Sequence, residues 1–250
     1  QNIGAYGAEV AELIASVRAW DRLRNRVVWL ALGELGLAYR DSRLKQSLTD
    51  AEAGGGRLWG PTGRWVILDA TFAVRQGSLS SRVAYSQLVG ALGVELGERV
   101  PERELREAVL ELRRSKGMVL DDADHDTWSA GSFFTNPILT TAEAERLPAD
   151  APRFPVTDHS QVVLGTKEAP VVEGLVKTSA AWLIDHAGFT KGFTVETGAP
   201  AGLSTKHVLA LTNRGGATGA DLARLRDTVV AGVRERYGIT LVPEPVQVGF

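Results

Sequence analysis

A helical pattern over residues 218–237 constrains the fold most, because a helix with one apolar face needs a second apolar surface to cover it. That face consists of four side chains, Leu222, Leu225, Val229 and Val233. Thr218 can cap the start of this helix, Asp221 suits its positive end, and Gly238 suits its termination. We therefore expect the second half of the chain to pack helices on a sheet.

Strand and helix patterns alternate along the rest of the chain, which predicts an α+β fold. Residues Val10–Leu30 favour a two-stranded hairpin broken at Asp21–Asn25, although Glu9–Arg18 is also compatible with a helix. Five glycines make Ala51–Gly63 a loop. The other expected elements are a helical turn at Leu35–Tyr39, a strand at Trp65–Ala73, helices at Arg82–Leu92, Pro101–Arg114 and Lys177–His186, and strands at His207–Asn213 and Ile239–Val248.

Composition excludes several classes of function. The 250 residues suffice for one large or two ordinary domains, and the formal net charge of -2 provides no overall basic field for nucleic acid. No run of 18 apolar residues is present, so no membrane span is expected. The absence of cysteine excludes disulfides, thiolate catalysis and cysteine-ligated metals, and it is compatible with a reducing cytoplasm. Oligomeric state is left open.

An acidic run follows the helix predicted at Pro101–Arg114. Its carboxylates belong to Asp121, Asp122, Asp124 and Asp126. A calcium loop would need a glycine and a twelfth-position glutamate that are missing here, so we interpret the run as a solvated connection. Neither this run nor the histidines show the spacing of a metal site. We place the domain boundary near Val119, giving domains 1–119 and 120–250.

Residues 130–137 present a serine among small and aromatic residues, in the order Ala-Gly-Ser-Phe-Phe-Thr-Asn-Pro. Gly131 permits a tight turn, and Ser132 supplies a hydroxyl that both donates and accepts hydrogen bonds. Phe133 and Phe134 can bury large apolar areas. The residues alone predict a rigid loop that presents one hydroxyl beside an apolar wall. An ordinary loop anchored by its aromatic side chains is the alternative.

This stretch resembles the active-site serine loop, Gly-Ser-Phe-Phe-x-Asn-Pro, of the MurB family of UDP-N-acetylenolpyruvoylglucosamine reductases, and the resemblance is to actinobacterial members. Four further segments resemble family segments in the same order. They are Gln1–Gly7 (its flavin-side loop), Tyr39–Ser42 (its Tyr-Arg-x-Ser motif), Ser179–Gly188 (its substrate-domain helix) and Leu241–Val246 (its C-terminal glutamate segment). The resemblance covers essentially the whole chain.

The resemblance implies a cytoplasmic, FAD-dependent enzyme that uses NADPH to reduce UDP-N-acetylglucosamine enolpyruvate to UDP-N-acetylmuramate. That product serves peptidoglycan synthesis, and through it cell shape and division. The implied fold is the remainder of an FAD-binding domain followed by a MurB C-terminal-like substrate domain. Family members carry a further flavin-binding lobe before the loop that begins here at Gln1, so we expect an N-terminally truncated reductase.

Three motif positions carry the implied catalysis. Ser132 matches the donor of a proton to C2 of the enolpyruvyl group, which is general acid catalysis. Arg40 matches the arginine at the substrate carboxylate, where a planar fork of donors fits best. Glu244 matches the glutamate that orients or protonates the enol system. Each residue also has an ordinary structural interpretation. Ser132 can simply hydrogen-bond to backbone groups of its loop, and Arg40 can form a surface ion pair with Asp41. Glu244, between two prolines, can be a charged residue on an edge strand.

Binding residues are also implied by motif position. Lys116 and Asn136 match positions that bind the nucleotide diphosphate, Tyr85 resembles a tyrosine that closes over it, and His207 matches a position facing the uridine end. Tyr85 is equally compatible with a core aromatic, and His207 with a structural histidine. The implied cofactor contacts are Gln1, Asn2, Ile3, Gly4 and Tyr6. Thr135 stands where many members have lysine, so no NADPH or phosphate contact is expected from it.

Two other functions remain open. One is an inactive UDP-sugar-binding remnant that cannot hold FAD because the N-terminal lobe is absent. The other is a metal-free hydrolase that uses Ser132 as nucleophile, for which no histidine has a motif-supported place as the base.

Overall fold

The computed structural model describes residues 1–162, 164 and 169–249, which fold into two compact units. Unit 1 comprises Gln1–Arg106 with Thr157–Val172, and unit 2 comprises Glu107–Val156 with Glu173–Phe250. Each unit contains helices and antiparallel strands, so the α+β class is confirmed. The predicted domains 1–119 and 120–250 stay predictions, because compactness alone defines these units.

Unit 1 is built around a three-stranded antiparallel sheet. Its elements are, in chain order, β1 (Gly4–Ala5), β2 (Ala8–Glu9), β3 (Ile14–Asp21), β4 (Arg26–Ala31), α1 (Leu32–Leu35), α2 (Arg43–Gln46), β5 (Trp65–Phe72) and α3 (Ser86–Leu92). The next helix, α4 (Glu102–Ser115), begins in this unit and continues into unit 2. Strand β3 is central because it pairs with both neighbours along its length.

A buried ion pair reinforces the small apolar core of unit 1. Arg64 donates to both carboxylate oxygens of Asp21, at 2.9 and 2.7 Å, and both side chains are buried. The Arg64 hydrogen bond lowers the pKa of Asp21, against the opposing effect of burial. Around the sheet, the buried apolar side chains are Ala11, Ile14, Val17, Ala19, Leu30, Leu35, Leu37 and Trp65.

Most sequence predictions for unit 1 are confirmed in type. The hairpin Val10–Leu30 forms as β3 and β4, so the helical alternative for Glu9–Arg18 is wrong. The helical turn predicted at Leu35–Tyr39 is wrong, since α1 ends at Leu35 and Gly36 follows it with φ +54°. Helix α3 begins at Ser86 rather than Arg82. The strand near Trp65, the loop Ala51–Gly63 and helix α4 are confirmed.

Unit 2 contains two three-stranded sheets. Its remaining elements are, in chain order, β6 (Ser129–Ser132), β7 (Ile138–Thr140), α5 (Thr141–Glu145), β8 (Arg153–Thr157), β9 (Val171–Thr178), α6 (Ala180–His186), β10 (Ala201–Leu203), β11 (Ala210–Asn213) and α7 (Gly219–Tyr237). The strand orders of the two sheets are β10-β11-β6 and β7-β9-β8. The chain runs from the end of β8 to the start of β9 through the segment assigned to unit 1.

Helix α7 buries the predicted apolar face. Leu225, Val229 and Val233 are fully buried in the main core of unit 2, and Leu222 packs at its edge. Thr218 caps the helix as predicted, and the Asp221 side chain bonds back to Thr218, so that the cap is reciprocal; Gly238 ends the helix with φ +71°. Position 232, inside the helix, is occupied by glycine because a Cβ there would come within 2.3 Å of the Phe189 ring.

Three predictions for unit 2 need correction. The strand predicted at His207–Asn213 begins only at Ala210, which leaves His207 before a turn. Residues Lys177 and Thr178 end β9, so the helix predicted from Lys177 begins at Ala180. The strand predicted at Ile239–Val248 is wrong: within it, Pro243 forms a single bridge to Phe134. Pro243 and Pro245 lack the N–H that a strand ladder requires.

Among the described residues, no helix is both long and apolar enough to cross a membrane.

Candidate active site

The sequence predicts that Ser132 lies in a rigid loop, but this prediction is wrong, because Ser132 is the last residue of strand β6. It closes β6 and pairs with Ala210 of β11, and its side chain is exposed. Gly131 precedes it with φ +80°, a left-handed backbone conformation that glycine adopts without strain. The sheet therefore fixes the backbone of Ser132 while its hydroxyl faces solvent.

The aromatic pair after Ser132 anchors this strand end. Phe134 is buried in the unit 2 core, and Phe133 packs against that core with its ring 5.3 Å from Phe134, edge to face. The Phe133 carbonyl accepts a hydrogen bond of 2.8 Å from the backbone N–H of Glu244. The Thr135 N–H donates to Val242 O at 3.0 Å. Glu244 is thereby held beside the residue that follows Ser132, although 112 positions separate the two along the chain.

A histidine lies next to the serine. The Ser132 Oγ and His207 Nε2 form a hydrogen bond of 3.2 Å. Ser132 is exposed and His207 is half-buried, so the pair lies at the edge of the unit, accessible to a ligand. Sequence reasoning assigned His207 to the uridine end and found no histidine partner for Ser132. The structure brings the two together.

The turn that carries His207 is held in place by hydrogen bonds to the buried Ser204 hydroxyl and the buried Asp126 carboxylate. Ser204 Oγ accepts the N–H groups of Lys206 and His207, at 3.0 and 3.2 Å. Asp126 accepts the Thr205 N–H at 3.0 Å and the Thr205 hydroxyl, and it forms an ion pair with Arg214 at 3.2 Å. These bonds hold the turn beside β6, and with it the imidazole.

The acidic run is therefore only partly a solvated connection, and the sequence interpretation is wrong for two of its residues. Asp126 is buried, and Asp124 pairs with Lys206. Burial raises the pKa of Asp126, but hydrogen bonds from Thr205 and Ser204 and the charge of Arg214 together lower it. The Lys206 hydrogen bond lowers the pKa of Asp124. No cluster of metal ligands occurs among the residues described.

Two lysines place positive charge around the serine–histidine pair. Burial, then the charges of Lys116 and Lys191, lower the pKa of His207 to about 4. Burial also lowers the pKa of Lys116, which is half-buried after α4. The imidazole is therefore neutral at neutral pH, and the cations favour an anionic ligand nearby. Lys191 carries no motif, so sequence reasoning missed it.

Asn136 and Tyr85 have clear structural contacts. The Asn136 side-chain oxygen accepts the N–H of Ala180 at 3.0 Å and so helps cap α6. Tyr85, in unit 1, is the residue before α3, and its half-buried ring lies 5.4 Å from that of Tyr6, edge to face. These contacts leave the predicted substrate roles of Asn136 and Tyr85 as predictions.

Arg40 lies in unit 1, in a two-residue turn closed by hydrogen bonds between Ala38 and Asp41. Its φ of +53° is a conformation that glycine usually supplies, and a non-glycine residue there stores strain. The guanidinium donates to the carbonyls of Asn2 and Gly4, at 3.1 and 2.5 Å. The Arg40 side chain therefore ties this turn to the N-terminal loop.

The N-terminal loop combines buried and exposed residues. Asn2 is fully buried, and its side chain donates to Glu9 and accepts from the Ala11 N–H. A Cβ at Gly4 would come within 2.8 Å of the Glu9 side chain and 3.1 Å of the Arg40 guanidinium, so a larger residue there would displace these side chains. Ile3 is 61% exposed. Asn2 thus holds the loop in place, while Ile3 faces outward.

The predicted site residues are shared between the units. Unit 2 brings together Ser132, His207 and the backbone of Glu244, with the charge of Lys116 acting on the imidazole. Arg40, Tyr85 and the loop beginning at Gln1 belong to unit 1. The catalytic roles that the resemblance implies for Arg40, Ser132 and Glu244 stay predictions.

Comparison with known proteins identifies the fold family. The family model described as UDP-N-acetylenolpyruvoylglucosamine reductase, C-terminal domain, matches residues 122–248. The reductases of that name from Cutibacterium acnes and Streptomyces avermitilis are each 49% identical to this chain over its whole length. The alignment covers 58% of the first relative and 63% of the second, so the chain spans about three fifths of their length.

A crystal structure of UDP-N-acetylenolpyruvylglucosamine reductase (MurB) from Thermus caldophilus also matches, with a TM-score of 0.48 and 20% identity, over 97% of this chain and 56% of that chain. The family model spans more than half of the present sequence, including Ser132, His207 and Glu244. The chain belongs to the UDP-N-acetylenolpyruvoylglucosamine reductase family, a family of oxidoreductases.

Proposed function

We propose that this chain takes part in the reduction of UDP-N-acetylglucosamine enolpyruvate to UDP-N-acetylmuramate, a cytoplasmic step of peptidoglycan precursor synthesis. One observation carries the proposal: an exposed hydroxyl, that of Ser132, ends a strand beside Glu244 in the part of the chain that matches the family model. Unit 2 supplies the proton-delivering groups, Ser132 and Glu244.

FAD fits the chemistry of the N-terminal loop. A flavin ring has apolar faces and a polar edge, and the loop offers the exposed Ile3 beside uncharged backbone. We assign ring contacts to Gln1, Ile3, Gly4 and Tyr6, and we assign Asn2 the support of the loop, since it is fully buried. When bound, FAD reduced by NADPH supplies the hydride that turns C3 of the enolpyruvyl group into a methyl group.

The protein itself must donate a proton to the substrate and stabilise the negative charge that develops on it. Charge builds towards C2 and the carboxylate as C3 is reduced, and the Arg40 guanidinium suits a planar carboxylate. Ser132 then transfers its hydroxyl proton to C2. Glu244, beside this serine, orients or protonates the enol system. The product is the lactyl ether.

Binding of the substrate falls to other residues. Lys116 suits the diphosphate as a point charge, and Asn136 assists there while it caps α6. Tyr85, near the flavin-side loop through its contact with Tyr6, closes over the diphosphate. His207 was expected at the uridine end, but its hydrogen bond to Ser132 supports a place nearer the reacting carbon.

An inactive UDP-sugar-binding protein is the second candidate. It is favoured by the location of Ser132, His207 and Lys116 together in unit 2. In that case the chain binds the nucleotide sugar but holds FAD too weakly for turnover.

Titration calorimetry with FAD and with UDP-N-acetylglucosamine enolpyruvate separates the two candidates, and product analysis by mass spectrometry then tests reduction with NADPH. The proposal predicts binding of both ligands and a product heavier by two hydrogens. Ser132→Ala should abolish most of the product, whereas Ser129→Ala, at the other end of the same strand, should not. Sugar binding without FAD binding would favour the second candidate. Absence of sugar binding would contradict both.

A further inference from the structure

The direction of the hydrogen bond between Ser132 and His207 decides what the serine can do. If Nε2 accepts, the hydroxyl proton points at the ring and the serine is prepared as a nucleophile. If Nε2 donates, the proton is free to point at a ligand while the oxygen is held by the ring. The distance of 3.2 Å suits either direction, so the surroundings must distinguish them.

We propose that His207 is a positioning residue that donates its Nε2–H to the Ser132 oxygen and thereby aims the serine's hydroxyl proton at C2 of the substrate. The assignment rests on the proposed function, in which Ser132 is the acid. As the proton leaves for C2, the serine oxygen takes the negative charge and the donated N–H stabilises it. Because Ser132 is exposed, the oxygen recovers a proton from water after the step.

Charge around the ring supports the donating direction. Burial lowers the pKa of His207 most, and the charges of Lys116 and Lys191 lower it further, so its imidazole is a weak base. A weak base is poorly suited to remove a proton from serine. The same cations stabilise a serine oxygen that has given its proton away. Both effects favour Ser132 as an acid over Ser132 as a nucleophile.

The hydrogen bonds that fix the turn carrying His207 support a positioning role for this residue. Ser204 and Asp126 fix residues 205–207 with three hydrogen bonds from backbone N–H groups and one from the Thr205 hydroxyl. Among the described hydrogen bonds and ion pairs, no carboxylate contacts the imidazole of His207, whereas a serine hydrolase uses one to orient its base. The ring is thus placed by its backbone.

The tautomer of His207 can be read directly by long-range proton–nitrogen NMR of the labelled chain, assigned among its four histidines. The proposal predicts a neutral ring protonated at Nε2, with an Nε2 shift that changes in Ser132→Ala. A ring protonated at Nδ1 would overturn it. So would labelling of Ser132 by a fluorophosphonate probe that His207→Leu abolishes, because that pattern marks the histidine as a base.

Three variants then test the role in reduction. Gln retains a terminal N–H donor and Leu does not, so His207→Leu should slow product formation on the order of 100-fold while His207→Gln stays within about fivefold of wild type, in line with the loss of one preorganised donor. His186→Leu, a surface histidine stacked on Trp182, is the matched control and should change neither rate nor sugar affinity.

Equal rates in His207→Leu and His207→Gln would overturn the positioning role, and so would a loss of sugar affinity that accounts for the whole effect. The tautomer is read without cofactor or substrate. It therefore decides the hydrogen-bond direction even if wild-type protein forms no product, an outcome that would refute the proposed function itself.

Discussion

Unit 1 and unit 2 are stabilised in different ways. Unit 2 buries a large continuous core in which α6 and α7 pack on a sheet, whereas unit 1 has a smaller apolar cluster reinforced by the buried pair of Asp21 with Arg64. Large apolar side chains on the unit 1 sheet remain exposed, such as Trp29 on β4 and Leu68 and Phe72 on β5. Unit 2 depends mainly on apolar packing, while unit 1 depends more on specific polar contacts.

The largest expected effect tests the ion pair of unit 1. Asp21→Asn leaves Arg64 buried without its counter-charge, and breaking a buried pair in this way costs about 3–5 kcal/mol. Urea unfolding, with hydrogen exchange to assign each transition to a unit, measures the loss. Asp69→Asn is the matched control, because Asp69 pairs with Arg18 where both are roughly 40% exposed, and such pairs contribute about 0–1 kcal/mol. Equal losses of stability in the two variants would refute the distinction between the buried and the exposed ion pair.

The pH dependence of unit 1 stability should follow from the same carboxylate. The pKa of folded Asp21 lies below its ordinary value of 3.8, so its contribution is present above that pH and is lost as pH falls through the folded-state pKa. Asp21→Asn should flatten the acid limb of unit 1 unfolding. An unchanged acid limb in the variant would show that other groups control it.

The next largest effect tests the apolar core of unit 2. Leu225→Ala removes a fully buried side chain from α7, and such changes typically cost about 2–5 kcal/mol. The loss should appear in the unit 2 transition alone. Leu120→Ala, at a residue 74% exposed, is the control and should change stability by about 0.5 kcal/mol or less. A similar loss in both would argue against a well-packed core.

A smaller effect is expected where unit 2 uses polar contacts, at the turn that carries His207. Asp126→Asn keeps an acceptor for Thr205 but removes the charge that faces Arg214, for an expected loss of about 1–3 kcal/mol. The His207 ring signal should also shift in NMR. Asp122→Asn, an exposed neighbour in the same run, should do neither. An unchanged ring signal in Asp126→Asn would mean that the turn is fixed by other contacts.

The smallest effect concerns the exposed face of unit 1. Trp29 is 63% exposed, so Trp29→Thr should change stability by no more than about 1 kcal/mol, even with loss of its contact to Arg18. The variant should be less prone to aggregate, so that aggregation begins at a higher protein concentration than in wild type, because a large exposed apolar side chain is removed. Light scattering over a concentration series measures this. Earlier aggregation would show that Trp29 protects the sheet.

Local signals predicted the elements that depend on neighbours in sequence. The cap of α7 by Thr218, its stop at Gly238 and the hairpin of β3 and β4 all follow from short-range rules. The predicted final strand is wrong because Pro243 and Pro245 lack the N–H groups that a strand ladder requires. The contact of Ser132 with His207 joins positions 75 apart, and the Asp126 contact to Thr205 joins positions 79 apart. No local pattern carries such pairings, since the packing of the whole unit creates them.

The central claim is that the Ser132 hydroxyl delivers the proton to C2, and stopped-flow absorbance of the flavin tests it most directly. Reduction by NADPH needs no proton on C2, so Ser132→Ala should leave that half-reaction nearly unchanged. Reoxidation by the enolpyruvyl substrate should slow by roughly 100- to 10,000-fold, the contribution of a positioned general acid. Equal slowing of both half-reactions, or of neither, would contradict the claim.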